Sequence, residues 1–295
     1  MTIKKVVFQG EPGANSHIAC NNVYPDFEAV PMATFEDCFN AVQNDDADLA
    51  MIPVENSVAG RVADIHHLMP TSDLHIIGEY FLPIHHQLVG VRGASLDEVK
   101  SVQSHVMALG QCRKVIREMG VRAVIGADTA GSARQISERK DPSQAAIASD
   151  LAADIYDLDI LKQDVEDETH NTTRFIILSK YPIKADHGVG PVVTTFFFRV
   201  RNVPAALYKA MGGFATNGVN MTKLESYQTG GKFFATQFYA DIEGHPDDPR
   251  VELALEELRF FSAEFKILGV YPAHSYRNTN AEPEANRALR PSPDV

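Results

Sequence analysis

Up to about residue 160, the chain alternates between short β-rich apolar runs and stretches with the spacing of an amphipathic helix. A small or polar turn separates each run from the helix that follows. The predicted strands are KKVVFQG, ADLAMIPVE, VKSVQS, VRAVIGAD and QAAIAS. The helices predicted after the second and third strands are VAGRVADIHHLM and MALGQCRKVIREMG. Strands that alternate with helices predict an α/β fold whose strands are mostly parallel.

One long extended run, LHIIGEYFLPIHHQLVGVRG, interrupts this alternation because no helix follows it. We expect the chain to cross from one lobe to a second lobe near residues 75–93 and to return near residues 164–178. Two lobes joined by such a double hinge would enclose a ligand cleft. A single doubly wound sheet is the alternative that the pattern leaves open.

The composition changes at residues 183–191, a linker containing Gly, Pro and Lys. Residues 192–273 then read as strand, helix, two strands, helix and strand, with Gly230-Gly231 as the predicted hairpin turn. The order βαββαβ is that of the ferredoxin-like split unit. Residues 274–295 are polar and contain several prolines, so we expect a disordered tail.

Composition excludes several classes of function. The net charge of -12, with no cluster of Lys and Arg, argues against binding to nucleic acid through general charge. No run approaches the ~20 apolar residues of a membrane span, and the first residues lack the apolar core of a signal peptide. Three cysteines without a CxxC spacing predict a reduced cytoplasmic protein with no metal centre. GEPG lacks the Lys-Ser/Thr of a Walker loop, so a nucleotide site is not expected either.

Polar residues follow the predicted strands, which is where open α/β sheets bind ligands. These residues are Asn15-Ser16, Asn56-Ser57, Ser104-His105 and Thr129. Each is a good helix N-cap, and together they would also direct backbone N–H donors at an anion in a cleft. Glu55 is the one acid in this set, and it either interacts with a helix dipole or has a functional role.

The stretch HNTTRFIIL, residues 170–178, places hydroxyls and a guanidinium before a strand, where no helix needs a cap. One interpretation is a salt bridge at a sheet edge between Arg174 and the acidic residues 164–168. The other is an anion site, in which Arg174 binds a carboxylate and a threonine hydroxyl donates to a developing anion. The residues alone leave both interpretations open.

The ordered motifs resemble those of the monofunctional prephenate dehydratases. The motifs are Phe8-Gln9-Gly10, Gly13-Ala14-Asn15-Ser16, Pro53-Val54-Glu55-Asn56-Ser57, Ser104-His105, Asp128-Thr129-Ala130, Ala145-Ala146-Ile147-Ala148-Ser149 and Asn171-Thr172-Thr173-Arg174-Phe175. The resemblance implies a two-lobed catalytic domain like a periplasmic binding protein at residues 1–182, followed by an ACT regulatory domain at residues 192–273. It also implies conversion of prephenate to phenylpyruvate in L-phenylalanine biosynthesis, without a cofactor.

The resemblance also implies roles for individual residues. Thr173 matches the family's essential threonine and would hydrogen-bond the departing hydroxyl. Arg174 would bind a substrate carboxylate, and Glu55, if burial keeps it protonated, would be a general acid beside Asn56 and Ser57. The residues expected to bind substrate are Gln9, Ser16, Ser104, His105, Thr129, Thr172, Asn171 and Phe175.

The ACT resemblance implies that L-phenylalanine binds between two chains of a homodimer or homotetramer and inhibits the enzyme. The residues expected at the effector site are Ala205, Ala206, Leu207, Asn217, Gly218, Val219, Asn220, Leu224, Glu225 and Ser226. This chain departs from the family motifs at Ala205, which replaces Gly, and at Tyr227-Gln228, which replaces Arg-Pro. A domain that only dimerises is the alternative. Dehydration of arogenate and a non-catalytic sensor of aromatic amino acids are the rival functions.

Overall fold

The computed structural model describes residues 3–62, 65, 67–201, 203–228 and 235–279, which form two β-sheets covered by helices. The strands are β1 Lys5–Gln9, β2 Glu28–Met32, β3 Leu49–Asn56, β4 Gly60–Arg61, β5 His75–Pro83, β6 Gln87–Val91, β7 Ser101–Ser104, β8 Arg122–Ile125, β9 Gln144–Ala148, β10 Leu158–Lys162, β11 Thr172–Ser179, β12 Val192–Val200, β13 Met221–Gln228, β14 Ala235–Glu243 and β15 Ser262–Pro272. The helices are α1 Asn15–Val23, α2 Phe35–Gln43, α3 Leu68–Thr71, α4 Val106–Gln111, α5 Arg113–Met119, α6 Thr129–Arg139, α7 Asp150–Ile155, α8 Ala206–Thr216, α9 Pro249–Phe261 and α10 Tyr276–Thr279. No helix in this described part of the chain is both long and apolar enough to span a bilayer.

The chain as far as β11 has two lobes, as the interrupted alternation predicts. The large sheet contains β2-β1-β3-β11-β5, and the small sheet has the order β10-β6-β9-β7-β8. The chain crosses between them from β5 to β6 and returns from β10 to β11. The two crossings are bonded together, since His86 N donates to Glu166 Oε2 at 2.9 Å and Val165 N donates to His86 O at 2.8 Å. The two separate sheets rule out a single doubly wound sheet.

The lobes also contact each other away from the hinge. Ser149 Oγ donates to Gly13 O at 2.5 Å and Tyr156 OH donates to Pro12 O at 2.9 Å. Gly13 has a φ of +89°, and a Cβ there would lie 2.7 Å from the backbone of Ala152. Only glycine satisfies both the backbone angle and the close approach. The first βα turn of the large lobe is therefore packed against the last helix of the small lobe.

The C-terminal unit shows the predicted order of elements, β12-α8-β13-β14-α9-β15. Its strands are arranged β13-β14-β12-β15 and all pair antiparallel. Both helices cover one face, where Phe196, Phe214 and Leu255 share a buried cluster. The predicted turn Gly230-Gly231 lies outside the described residues.

The C-terminal unit continues the large sheet. Strand β15 lies parallel to β5, with Gly269 opposite Ile76. A Cβ on Gly269 would lie 2.2 Å from Ile76 O, so the strands approach this closely because residue 269 has no side chain. Phe197 and Tyr271 of this unit share a buried cluster with Ile76 and Ile176. The two units are thus joined through a common hydrophobic core.

Three local predictions are wrong. The helix predicted from Val58 begins instead as a hairpin, in which β4 pairs antiparallel with β3 and Gly60 has a φ of +82°, and residues 63, 64 and 66 of that prediction lie outside the described residues. The helix predicted across Cys112 divides there into α4 and α5. The tail is ordered as far as residue 279, because Arg277 donates to both oxygens of the buried Glu79 carboxylate, at 2.6 and 2.8 Å. Residues 280–295 lie outside the described residues.

Candidate active site

The side chain of Asn56 organises a polar cluster at the end of β3. Its Nδ2 donates to Thr173 Oγ1 at 2.9 Å and to Asn171 Oδ1 at 2.7 Å. Its Oδ1 accepts from the backbone N–H groups of Val58 at 3.0 Å and Ala59 at 2.7 Å. Because a carbonyl oxygen must face those two donors, the orientation of the amide is fixed. Asn56 is therefore a donor to Thr173.

The hydroxyl of Thr173 is left with its own hydrogen to donate. Its oxygen accepts from Asn56, and no acceptor for the hydroxyl hydrogen is recorded within the described ranges of the chain. An oxygen that accepts a hydrogen bond becomes a stronger donor through its own hydrogen. The half-buried Thr173 is thus prepared to donate to a ligand oxygen.

The cluster extends from Asn171 into the small lobe. Asn171 Nδ2 donates to Gln111 Oε1 at 3.2 Å, and the same oxygen lies 2.9 Å from His86 Nε2. Burial lowers the pKa of His86, so the imidazole is neutral and its Nε2–H donates to Gln111. A chain of hydrogen bonds therefore runs from the hinge through the end of α4 to Asn56 and Thr173.

A pocket of about 230 Å³ lies beside this chain of hydrogen bonds. Its lining includes Gln111 and Asn171, and it also includes the cationic residues Arg113, Lys114 and Arg117. The sequence analysis did not assign a role to these cations, because their position beside Asn171 depends on pairing between distant segments. The lining also includes the acidic residues Glu166, Asp167 and Glu168, so the pocket offers both cations and carboxylates to a charged ligand.

Ser57 joins β3 to β11 and does not cap a helix as predicted. Its Oγ donates to His170 O at 2.7 Å and accepts from Thr172 N at 2.9 Å. Both bonds run between the two strands that carry Asn56 and Thr173. The Ser57 hydroxyl is therefore engaged in holding the strands together.

A β-bulge in β3 decides which residues face the cluster. Phe175 pairs with Pro53 and Arg174 pairs with Glu55, so Val54 is an extra residue without a partner on β11. An extra residue reverses the sides to which the following side chains point. Asn56 therefore faces Thr173, while Glu55 and Arg174 meet on the opposite face.

The prediction that Arg174 holds a substrate carboxylate is contradicted. Arg174 is 2% exposed, and its guanidinium donates to Glu79 at 2.8 Å, to Glu55 at 2.9 Å and to Asp241 at 2.6 Å. It also donates to Tyr271 OH at 3.0 Å. The salt-bridge interpretation was correct in kind, but the partners are not the acidic residues 164–168. Arg174 binds protein carboxylates on the face that meets the C-terminal unit.

The general-acid role expected of Glu55 is also contradicted. Glu55 Oε1 accepts from Arg174 at 2.9 Å, and Oε2 accepts from Lys223 Nζ at 2.5 Å. Burial acts to raise the pKa of Glu55, but the charges of Arg174 and Lys223 outweigh burial and lower the pKa to about 2. The carboxylate is therefore ionised at neutral pH and has no proton to give.

Most of the residues expected to bind substrate do not meet at Thr173. Ser104 is fully buried and donates to Ile147 O at 2.7 Å, and Phe175 is 1% exposed in the core. His105 caps α4 by accepting from Met107 N at 3.3 Å. Ser104 and Phe175 are therefore packed in the interior, and His105 caps a helix.

The remaining candidates stay near strand ends without a shared contact. Gln9 ends β1, Ser16 is the second residue of α1, and Thr129 begins α6 after the N-cap Asp128. Thr172 Oγ1 accepts from Tyr276 OH at 3.3 Å, which brings the C-terminal segment to the residue beside Thr173. Of the predicted set, Asn56, Asn171 and Thr173 are brought together by direct side-chain hydrogen bonds.

The expected effector residues do not converge within one chain. Ala205 precedes α8 with a φ of +59°, and Asn217 follows the same helix as its C-cap. A helix of 11 residues separates these two groups by about 16 Å. Leu224 and Ser226 are exposed, but Glu225 points to the opposite face of β13 and accepts from Lys223 at 2.8 Å. The assignment of Glu225 to the effector site is contradicted.

Among the residues that the structure describes, one group of side chains has ligand atoms close enough for a metal ion. His85, Asp164 and Glu166 lie at the hinge with these atoms within 4.8 Å of one another. The Glu166 carboxylate already accepts from His86 N and lies 3.1 Å from His85 Nδ1, so it has a structural role in joining the crossings.

The three cysteines are free and buried. Burial raises the pKa of the Cys20, Cys38 and Cys112 thiols, to about 12 in Cys38. These thiols are therefore protonated at neutral pH and are not activated nucleophiles.

Fold and site together define a two-lobed α/β protein of the periplasmic-binding-protein type, with a hydroxyl donor where the lobes join. The prephenate dehydratase family matches residues 6–182. The chain is 47% identical over 272 residues to a bifunctional N-acyl-homoserine lactone acylase/prephenate dehydratase of Komagataeibacter europaeus, covering 92% of this chain and 97% of the relative. It is 36% identical to arogenate dehydratase/prephenate dehydratase 1 of Arabidopsis thaliana over 284 residues, covering 91% of this chain and 72% of the relative.

A solved structure supports the same assignment. It is the prephenate dehydratase of Arthrobacter aurescens in complex with L-Phe, which is 32% identical and superimposes with a TM-score of 0.84. The match covers 91% of this chain and 90% of that protein. The chain therefore belongs to the prephenate dehydratase family, whose members are lyases that act on prephenate.

Proposed function

We propose that this chain converts prephenate to phenylpyruvate with Thr173 as the catalytic hydrogen-bond donor. The ring carboxylate leaves as carbon dioxide, its bonding electrons enter the ring, and the ring hydroxyl departs as hydroxide that is then protonated to water. Formation of the aromatic ring drives the reaction, so no cofactor is required. The observation that carries the proposal is the 2.9 Å bond from Asn56 Nδ2 to Thr173 Oγ1, which leaves the threonine hydrogen for the departing oxygen.

The substrate carboxylates would be attracted to the pocket beside Asn171. Arg113, Lys114 and Arg117 line it, and Gln111 connects it to the Thr173 cluster. Glu166, Asp167 and Glu168 line the same pocket, so the substrate carboxylates would be held by direct hydrogen bonds from individual cations and not by a net positive field. Gln9, Ser16 and Thr129 remain proposed contacts to substrate, because they lie at the ends of β1 and at the starts of α1 and α6.

The test is direct. Purified protein is incubated with prephenate, and phenylpyruvate is followed by its absorbance at alkaline pH. We expect product well above the non-enzymatic background, and we expect the Thr173→Val variant to fall close to that background. Absence of product from both the wild type and the variant would favour the non-catalytic sensor.

Arogenate is a second candidate substrate, because the Arabidopsis thaliana relative is described as acting on both compounds. Arogenate carries an ammonium group where prephenate carries a keto group. The pocket beside Asn171 also contains Glu166, Asp167 and Glu168, which offer carboxylates to an ammonium group. Comparing kcat/KM for the two substrates on one preparation decides between them.

We propose that dehydration is the chain's one reaction and that it takes place in the cytoplasm. The Komagataeibacter europaeus relative is described as bifunctional, so acylase activity is the alternative to exclude. The buried, protonated cysteines provide no thiolate for acyl transfer, and they fit a reducing compartment. Release of homoserine lactone from an N-acyl-homoserine lactone would contradict the assignment of one reaction.

We also propose that residues 192–273 are a ferredoxin-like ACT domain, that L-phenylalanine inhibits the enzyme through it, and that the chain is a homodimer or homotetramer. The βαββαβ order with both helices on one face supports the domain assignment. The Arthrobacter aurescens relative is described in complex with L-Phe. Since Ala205 and Asn217 lie at opposite ends of α8, a site that uses both groups needs a second chain. Titration of activity with L-phenylalanine, with sedimentation of the same samples, tests these proposals.

A further inference from the structure

The carboxylate of Glu55 is held by both units of the protein. Oε1 accepts from Arg174 in the catalytic unit at 2.9 Å, and Oε2 accepts from Lys223 on β13 at 2.5 Å. Arg174 in turn donates to Asp241 on β14 at 2.6 Å. The two strands that carry Asn56 and Thr173 are thus each tied by an ion pair to the C-terminal unit.

Three of the four charged side chains in these ion pairs are shielded from water, and the fourth, that of Glu55, is 36% exposed. The side chain of Lys223 is 7% exposed, that of Arg174 is 3% exposed, and that of Asp241 is fully buried. At the three buried groups water does not replace a lost partner, so removal of one charge leaves another buried charge uncompensated. The network therefore resists small displacements of β13 relative to β3.

The network lies directly next to the proposed catalytic donor. Glu55 pairs with Arg174 across β3 and β11, and the adjacent pair is Asn56 with Thr173. One peptide bond joins Glu55 to Asn56, so a shift of the Glu55 side chain moves the amide that orients Thr173. Displacements of about 1 Å at a reacting centre are enough to lower a rate by on the order of 100-fold.

We propose that Lys223 is a positioning residue for the dehydratase reaction. It holds Glu55 from the C-terminal unit, and through Glu55 it fixes Asn56 and the hydrogen bond from Asn56 to Thr173. The position of β13 therefore sets the turnover number of a site on the other unit. This inference rests on the proposed conversion of prephenate.

The Lys223→Met variant tests the inference, because methionine fills similar space without the charge. We expect kcat to fall by on the order of 10-fold or more while KM stays within about two-fold, since Thr173 acts on an oxygen whose charge develops in the transition state. Lys223→Arg keeps the cation and should retain most of the wild-type kcat. If Lys223 only stabilised the fold, its replacement would change the midpoint of urea unfolding. It would not lower kcat while leaving KM nearly unchanged.

Lys209→Met is the matched control, because Lys209 is exposed on α8 outside the network. Its kcat should equal that of the wild type. A Lys223→Met enzyme with kcat within two-fold of the wild type overturns the inference. A wild type that forms no phenylpyruvate overturns the proposed function as well, so the two failures are distinguishable.

A double-mutant cycle gives a second measurement if Lys223→Met lowers the amount of folded protein. In the Glu55→Gln background the carboxylate is already absent, so a further change at Lys223 should have a much smaller effect on kcat. If the double variant loses less kcat than the product of the two single fold-losses, the two residues act as a pair. Effects that multiply fully would contradict the proposed route through Glu55.

Discussion

The side-chain amide of Asn56 donates to the hydroxyl oxygen of Thr173 at 2.9 Å, and this bond fixes the direction in which Thr173 can donate. Two backbone N–H groups, at Val58 and Ala59, hold the Asn56 carbonyl oxygen and prevent the amide from turning over. The donor is therefore oriented before substrate binds. Preorganised donors of this kind act most strongly where charge develops in a transition state.

The first prediction concerns the donor itself. Thr173→Ala removes the hydroxyl and should lower kcat by ~100-fold or more, the usual effect of losing one oxyanion-type donor. Thr173→Ser keeps a hydroxyl and should retain much more activity than Thr173→Ala. Steady-state kinetics with prephenate measures both variants.

Thr216→Ala is the control for this prediction, because Thr216 is exposed at the end of α8. It should leave kcat unchanged, and circular dichroism should show all three variants folded. Near-normal turnover in folded Thr173→Ala would remove Thr173 from the proposed mechanism.

The second prediction concerns the direction of the Asn56 bond. In Asn56→Asp the ionised carboxylate accepts hydrogen bonds but cannot donate them, so the Thr173 hydroxyl would turn and donate to residue 56. The substrate would lose its donor, and we expect kcat to fall by on the order of 100-fold, as for removal of the hydroxyl.

The exposed Asn40 provides the matched change, since Asn40→Asp adds the same charge on α2. Its kcat should be close to that of the wild type. If Asn56→Asp retains full activity at neutral pH, the amide is not needed to orient Thr173.

The third prediction concerns acid stability. The folded-state pKa of Glu55 is about 2, below its ordinary value of 4.5, so the ionised form stabilises the fold. This contribution is fully present above pH 4.5 and is lost as the pH falls toward 2, because the unfolded chain binds the proton first. The pKa of Glu79 is also lowered, which adds to the same loss on the acid side.

Glu55→Gln should therefore have a lower free energy of unfolding at pH 7 and a flatter pH dependence on the acid side of pH 4.5. Urea unfolding at several pH values measures both effects. Glu256→Gln, at an exposed position on α9, should follow the wild-type curve. Parallel curves for Glu55→Gln and the wild type would show that the ion pairs of Glu55 do not contribute to acid stability.

The fourth prediction concerns Ala205, where the sequence departs from the glycine of the resembling motif. Its φ of +59° lies in the left-handed region, which costs a residue with a Cβ roughly 1–2 kcal/mol. Glycine removes that strain, but its greater conformational entropy lowers the free energy of the unfolded chain by about 0.4–1 kcal/mol. Ala205→Gly should therefore raise the free energy of unfolding.

The exposed Ala215 lies within the same helix and gives an opposite expectation. Ala215→Gly should lower the free energy of unfolding by about 1 kcal/mol, the usual helix-interior cost of glycine. Urea unfolding of the two variants side by side therefore compares one substitution in two backbone conformations. A loss of stability in Ala205→Gly would contradict a strained start of α8.

Local pattern was sufficient for most elements of the fold, although it did not predict β2 and α2. The alternation of apolar runs and helical spacing predicted the βα units, and the uninterrupted run around β5 and β6 predicted the crossing between lobes. The local pattern gave a wrong prediction after Asn56. Residues with helical spacing form a hairpin there, because β4 pairs with β3 at Gly60. Hairpin pairing between β3 and β4 outweighed local helix propensity there.

The sequence by itself identified Asn171 and Thr173 as polar residues before a strand where no helix needed a cap, and it identified Asn56 as a helix N-cap or a contact to an anion. It could not show that Asn56 and Thr173 meet, because 117 positions separate them along the chain. The face on which each residue lies depended on Val54, the bulge residue that turns Asn56 toward Thr173 and Glu55 toward Arg174. Side-chain alternation in a strand is set locally, but a bulge is defined only by the partner strand. The separation of the face that carries Asn56 and Thr173 from the ion-paired face was therefore decided by the tertiary structure alone.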